Sequence, residues 1–130
     1  MSSGPALVSI LRQGCNLVAS VQTALDDTQM IRFRNDLVEQ IADYRSTGVI
    51  IDVAALDVVD SFGFTTLGSI ARMTPLCGAT TVIVGIQPDV ALALVRLGMS
   101  IGSVATALDL DEGVEYLNRH VGRQSSSTSS

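Results

Sequence analysis

Residues 49–64 read Val49-Ile50-Ile51-Asp52-Val53-Ala54-Ala55-Leu56-Asp57-Val58-Val59-Asp60-Ser61-Phe62-Gly63-Phe64, and this stretch decides the fold. Val49 to Ala54 is a nearly continuous apolar run of strand length, interrupted only by Asp52, the pattern of a strand buried on both faces. Such a strand belongs to a sheet covered by helices. Asp60 or Ser61 then opens a helix that runs past Leu67, Ile70 and Ala71 to about Leu76, where Gly78 supplies the C-terminal stop. A buried strand followed at once by a helix start sets the rhythm for the rest of the chain.

Upstream, Ala6 to Leu11 and Cys15 to Val21 are runs rich in β-branched residues, separated by Arg12-Gln13-Gly14. Gly14 can take the positive φ of a tight hairpin turn. From Thr28 to Arg45 the apolar positions Met30, Phe33, Leu37, Ile41 and Tyr44 recur at three or four. Asp26, Asp27 or Thr28 can cap this helix, and Gly48 follows its end. Downstream, Thr80 to Gly85 is a second buried strand. Pro88 opens a helix carrying Leu92, Val95 and Leu97, which Gly98 closes. A short strand follows near Ser103 to Ala107. Asp109 and Glu112 have capping-box spacing before a last helix with Val114, Leu117 and Val121 on its apolar stripe. The fold class is therefore α/β: one domain over residues 1–121, with a mixed, mainly parallel central sheet, packed helices and an N-terminal β-hairpin. Residues 122–130 form a serine-rich tail with nothing to bury, expected to be disordered.

Composition narrows the function. The chain has 130 residues, 47% of them hydrophobic and 16% charged, enough apolar material for one real core. Eight arginines, no lysine and thirteen acidic residues give a net charge of −5. With the arginines scattered, this argues against a nucleic-acid ligand, which needs several cationic phosphate contacts. Asp52, Asp57, Asp89 and Arg96 interrupt the apolar stretches well short of the about 18 residues needed to span a bilayer. The N-terminus lacks the basic segment of a secretory signal, and Cys15 and Cys77 are far apart with no CxxC spacing. A cytoplasmic protein with reduced thiols, packed in or near the core, is expected.

Signatures of catalysis are missing. His120 is the only histidine and lies near the tail, so it reads as a solvated surface residue. No triad, histidine acid/base pair or multi-histidine metal site can be built around it. Without lysine there is neither a P-loop nor Schiff-base chemistry. Asp52, Asp57 and Asp60 lie near the C-terminal end of a buried strand, where open α/β sheets place their ligand sites. Backbone N–H groups and the helix dipole account for such carboxylates without a metal, and no further ligand set accompanies them. The chain is read as a non-enzyme without cofactor or metal.

The sharper site is Asp60-Ser61-Phe62-Gly63-Phe64. Taken alone, Ser61 reads as a helix cap whose hydroxyl satisfies N–H groups of the first turn, on a sheet edge where a partner can reach it. Gly63 keeps the backbone open to close approach. Of Phe62 and Phe64, one belongs in the core and the other is a contact. A phosphate on Ser61 would lie beside Asp60 and near Asp57 with no arginine in the adjacent sequence, so it would change a surface rather than lock a pocket.

Ile50-Ile51-Asp52-Val53 followed by Val59-Asp60-Ser61-Phe62-Gly63 resembles the signature of the STAS domain family, found in anti-sigma-factor antagonists and sulphate transporter tails. Gly78-Ala79, Thr81-Val82-Ile83-Val84-Gly85-Ile86-Gln87-Pro88, Val95-Arg96-Leu97-Gly98 and Thr106-Ala107-Leu108-Asp109-Leu110 with Glu112-Gly113 resemble one branch of it, the single-domain scaffolds of the bacterial stressosome. The resemblance covers about residues 5–121. It implies a phosphoswitch scaffold that holds a serine/threonine switch kinase inactive and releases it when phosphorylated on Ser61, with Asp60, Ser61, Phe62, Gly63 and Phe64 as the partner-binding residues. It further implies a homodimer that joins sensor-domain STAS paralogues in a large hetero-oligomeric particle, and a phosphatase that resets the serine. The chain has no room for a sensor domain, as expected of the scaffold type. The alternative is a simple anti-sigma-factor antagonist that binds an anti-sigma kinase one to one.

Overall fold

The computed structural model describes residues 8–98 and 104–128, with the backbone alone described over 121–128. Strand β1 (Val8–Gln13) and strand β2 (Asn16–Val21) form the expected antiparallel hairpin, in a register that sets Val8 against Val21 and Gln13 against Asn16. Gly14 turns between them at φ 63°. β2 then pairs in parallel with β3 (Gly48–Asp52), β3 with β4 (Thr80–Val84) and β4 with β5 (Ala105–Ala107). The sheet has five strands in the order β1-β2-β3-β4-β5. β3 ends at Asp52, two residues before the end of the apolar run, because the Asp52 carboxylate accepts the Ala54 N–H at 2.9 Å and bends the chain out of the sheet. Ser103, the expected start of the last strand, lies outside the described residues.

The helices begin where their capping residues place them and end less predictably. Helix α1 (Asp27–Tyr44) is capped by Asp26, whose side chain accepts the Gln29 N–H while Gln29 reaches back to the Asp26 N–H. Its stop is not Gly48. Arg45 adopts the left-handed conformation at φ 51° and donates its N–H to the Ile41 carbonyl. Gly48 is needed in the sheet instead, because a Cβ there would collide with Asn16 Oδ1 and approach Leu117 Cδ1 to 2.8 Å. Helix α2 (Ser61–Met73) stops short of Leu76, since Pro75 has no N–H to continue it; Thr74–Cys77 tighten into a 3-10 turn that Gly78 closes at φ 84°. Helix α3 (Pro88–Arg96) starts on its proline, and Gly98 follows its end at φ 71°. Helix α4 (Leu110–Thr128) starts with Asp109 Oδ1 accepting the Glu112 N–H at 2.9 Å, while Glu112 reaches back to the Leu108 N–H at 2.7 Å. The tail expected over 122–130 falls on residues whose side chains are not described.

Side-chain alternation assigns the two sheet faces. Leu17, Ala19 and Val21 of β2, Val49 and Ile51 of β3 and Ile83 of β4 point to one face, where Phe33, Leu37 and Ile41 of α1 and Leu67 and Ile70 of α2 bury them. Ile50, Val82 and Val84 point to the other, beneath Leu117 of α4. Ile50 and Ile51 are both fully buried, which is why β3 carries no polar alternation. Each such side chain contributes roughly 1.5–3 kcal/mol. α3 joins through a smaller cluster of Val90 and Leu94 on Phe64. In this parallel arrangement every helix starts just beyond the C-terminal end of the strand before it, so the loop leaving β3 opens onto the edge where α1, α2, α3 and α4 all begin.

Candidate functional site at the start of helix α2

The loop between β3 and α2 is pinned before it reaches the site. Val53 N–H bonds to the Val84 carbonyl at 3.0 Å, and Leu56, buried at 7% exposure, donates its N–H to the Val53 carbonyl. Gln87 Nε2 crosses from the β4–α3 connection to the Ala54 carbonyl at 2.7 Å. Asp60 then takes the extended conformation of a helix cap, at φ −84° and ψ 174°. Its Oδ1 accepts the Gly63 N–H at 2.7 Å, and its carbonyl accepts the Phe64 N–H at 3.0 Å.

Asp60, not Ser61, is therefore the cap. Ser61 is the first helical residue, and among the described residues its exposed hydroxyl makes no hydrogen bond. A carboxylate is the stronger acceptor for a helix N-terminus, and two adjacent capping residues leave one of them free. Gly63 also serves differently from the expectation. It is buried, and a Cβ on it would come within 3.1 Å of Asp60 Oδ1, so its small size makes room for the cap rather than for an approaching partner. Of the two phenylalanines, Phe64 is the core residue, 8% exposed against Val90 and Leu94, whereas Phe62 is 38% exposed. Of the five residues expected at the partner surface, Asp60, Ser61 and Phe62 thus reach solvent, while Gly63 and Phe64 hold the helix start from behind.

The electrostatics are one-sided. Asp57 and Asp60 are exposed, and no arginine occurs between residues 46 and 71. Asp52 is engaged by Ala54 and Asp60 by Gly63, and among the described residues no group of three His, Cys, Asp or Glu side chains is placed to hold a metal. What remains chemically available is a free hydroxyl on a rigid helix start, flanked by carboxylates. It is suited to accept a phosphoryl group, and the adjacent sequence holds no arginine to pair with the added charge.

Beside the site lies a feature the sequence reading missed. An apolar cleft of about 90 Å³ opens between Ala24 and Leu25 of the β2–α1 loop and Val58, Val59 and Leu67, with Asp60 in its wall. Val58 is 65% exposed at its mouth. The only signal in the sequence was Val58-Val59, an apolar pair in a loop. Two other expectations change. Cys15 and Cys77 are free but exposed, because they fall in the hairpin turn and the 3-10 turn rather than in regular elements. His120 is half-buried, with its Nε2 3.2 Å from the Tyr116 hydroxyl and the two rings 4.3 Å apart. No helix among the described residues is long and apolar enough to cross a membrane, in line with the interrupted apolar runs.

Comparisons with known proteins bear on the family and the fold. Residues 8–112 match the family model of the STAS domain. A serine-to-glutamate variant of RsbS from Moorella thermoacetica superposes with a TM-score of 0.77 at 34% identity, covering 89% of this chain and 98% of that one. A chain from the structure describing the molecular architecture of the stressosome, a signal integration and transduction hub, superposes with a TM-score of 0.69 at 33% identity, covering 87% and 98%. The RsbT co-antagonist protein RsbRA of Bacillus subtilis is 28% identical over 91 residues, which are 70% of this chain and 33% of that protein. The chain thus spans about a third of that curated relative.

Proposed function

The chain belongs to the STAS domain family, and on that premise we propose that it is a non-catalytic phosphoswitch scaffold of a bacterial stressosome, acting in the cytoplasm. In this reading it assembles with sensor-domain STAS paralogues into a large particle, holds a serine/threonine switch kinase inactive, and releases that kinase when Ser61 is phosphorylated. A phosphatase then resets the serine. The observation that carries the reading is the free Ser61 hydroxyl on a helix start already capped by Asp60. The similarity to RsbS over nearly the full length of both chains supports the scaffold role. The similarity to part of RsbRA supports a paralogue as assembly partner.

The switch in this account is electrostatic. A phosphate adds about −1.5 to −2 charge at neutral pH. The Gly63 N–H is already taken by Asp60, so the phosphate is displayed toward the partner instead of being drawn into the helix cap. Each acidic partner group brought close to that phosphate opposes docking by about 1 kcal/mol at a hydrated surface and by more where water is excluded. The fold itself does not have to move.

The test is phosphorylation by a switch kinase of the source organism with ATP and magnesium, mapped by mass spectrometry. Label on Ser61 that Ser61→Ala abolishes supports the reading. Label on the exposed Thr65 or in the serine-rich stretch that survives Ser61→Ala overturns it. Light scattering of the chain mixed with a sensor-domain paralogue separates the scaffold from a simple anti-sigma-factor antagonist: the scaffold enters a particle far larger than a one-to-one complex.

A further inference from the structure

Strand β1 is an open edge of the sheet: β2 pairs with one side of it, and among the described residues no strand pairs with the other. Its hairpin to β2 has a two-residue turn with Gly14 at φ 63°, and the pair flanking such a turn, Gln13 with Asn16, is of the hydrogen-bonded kind. Hydrogen-bonded and non-hydrogen-bonded pairs alternate, so Ser9, Leu11 and Gln13 direct their backbone groups to β2, while Val8, Ile10 and Arg12 direct theirs outward. Natural edges are blunted by proline, lysine or a bulge. Val8–Gln13 has none of these, and its one cation, Arg12, lies 4.8 Å from the centre of the Tyr44 ring.

Between this edge and helix α1 runs a groove of about 380 Å³, lined by Val8, Ile10, Leu25 and Phe33 and by the charged pair Arg32 and Asp36, one helical turn apart. Both charges are exposed, and neither makes a salt bridge among the described residues. The geometry points to the β1 edge and this groove as an interface with a second copy of the chain, with β1 pairing antiparallel to its counterpart about a two-fold axis through Ile10. That register sets Val8 against Arg12 and Ile10 against Ile10 of the copy, all residues whose backbone groups face outward, and it continues the five-stranded sheet of one copy into that of the other. α1 runs antiparallel to β2 and hence along β1, so the same axis lays the two α1 helices antiparallel across the groove. Arg32 of each copy then faces Asp36 of the other, the self-complementary match a two-fold interface requires. Ser61 lies beyond β3, two strands in from this edge, so pairing leaves both serines open and the assignment stands independently of the phosphoswitch.

The test is sedimentation of the full chain over a range of concentrations at low salt, where wild type is expected to dimerise. Arg32→Asp and Asp36→Arg, both at exposed positions, each set like charges against each other across the axis. Each is expected to raise the dissociation constant at least tenfold with an unchanged circular dichroism spectrum. Mixed in equal amounts, the two variants complement each other at both contacts and are expected to pair as wild type does. Amide exchange followed by NMR is expected to show the N–H groups of Ile10 and Arg12 protected at dimeric concentrations and open on dilution. Wild type that stays monomeric at every concentration overturns the assignment, as does a dimer that neither variant weakens or one whose Ile10 and Arg12 amides exchange as in the monomer. Variants that weaken the dimer singly but fail to pair when mixed overturn the two-fold match. A chain that is monomeric alone and loses binding to a sensor-domain paralogue in the same variants gives the edge to that paralogue and overturns the assignment to a second copy.

Discussion

Asp60 and Gly63 are joined by a 2.7 Å hydrogen bond from the glycine N–H to the aspartate Oδ1, and that bond frees the serine between them. Stability and signalling are therefore carried by neighbouring residues. Asp60→Ala removes the cap and is expected to cost about 1 kcal/mol. Ser61→Ala and Ser61→Asp touch no hydrogen bond and are expected to stay within about 0.5 kcal/mol of wild type. Urea denaturation of the three variants checks this ordering. A loss at Ser61→Ala as large as at Asp60→Ala would place the cap on the serine.

Two glycines at helix-interior positions should respond in opposite directions to alanine. Gly68 of α2 has only Arg72 Nη1, 3.5 Å from an added Cβ, so Gly68→Ala is expected to gain up to about 1 kcal/mol from helix propensity. At Gly113 the added carbon would sit 2.7 Å from Val84 Cγ1, on a strand that cannot retreat. Overpacking of about 1–3 kcal/mol exceeds the propensity gain, so Gly113→Ala is expected to destabilise. Melting temperatures of the pair decide the matter.

Thr74 and Thr81 share a 2.7 Å hydrogen bond in the core, at 0% and 6% exposure. Replacing either one by valine leaves the other hydroxyl buried without a partner, at a cost of about 1–3 kcal/mol. The double variant Thr74→Val with Thr81→Val removes both polar groups and is expected to be closer to wild type than either single variant. A double-mutant cycle by chemical denaturation reads out the coupling directly.

The parts of this fold that were legible in the sequence are those in which local pattern and tertiary demand agree. Val49 to Asp52 had to be a two-faced strand, and Met30, Phe33, Leu37 and Ile41 had to share a helix face. The helix ends were less legible. Arg45 takes the left-handed conformation at the helix end with its N–H on the Ile41 carbonyl, and no composition rule marks an arginine for that role, while the glycine that looked like the stop is held back by Asn16 and Leu117 from remote segments. At the site, Asp60 and Ser61 are both good caps and are adjacent, so only the geometry around Gly63 tells them apart. The cleft was out of reach altogether, because its walls come from the β2–α1 loop, the β3–α2 loop and α2, and no local pattern records their meeting.

The most direct test of the central claim is kinase release followed in real time. The switch kinase is captured on the immobilised chain, ATP and magnesium are added, and dissociation is recorded together with phosphate incorporation. The account predicts that release tracks phosphorylation of Ser61, and that Ser61→Ala captures the kinase as tightly as wild type but retains it after ATP is added. Release from Ser61→Ala at the wild-type rate would contradict it.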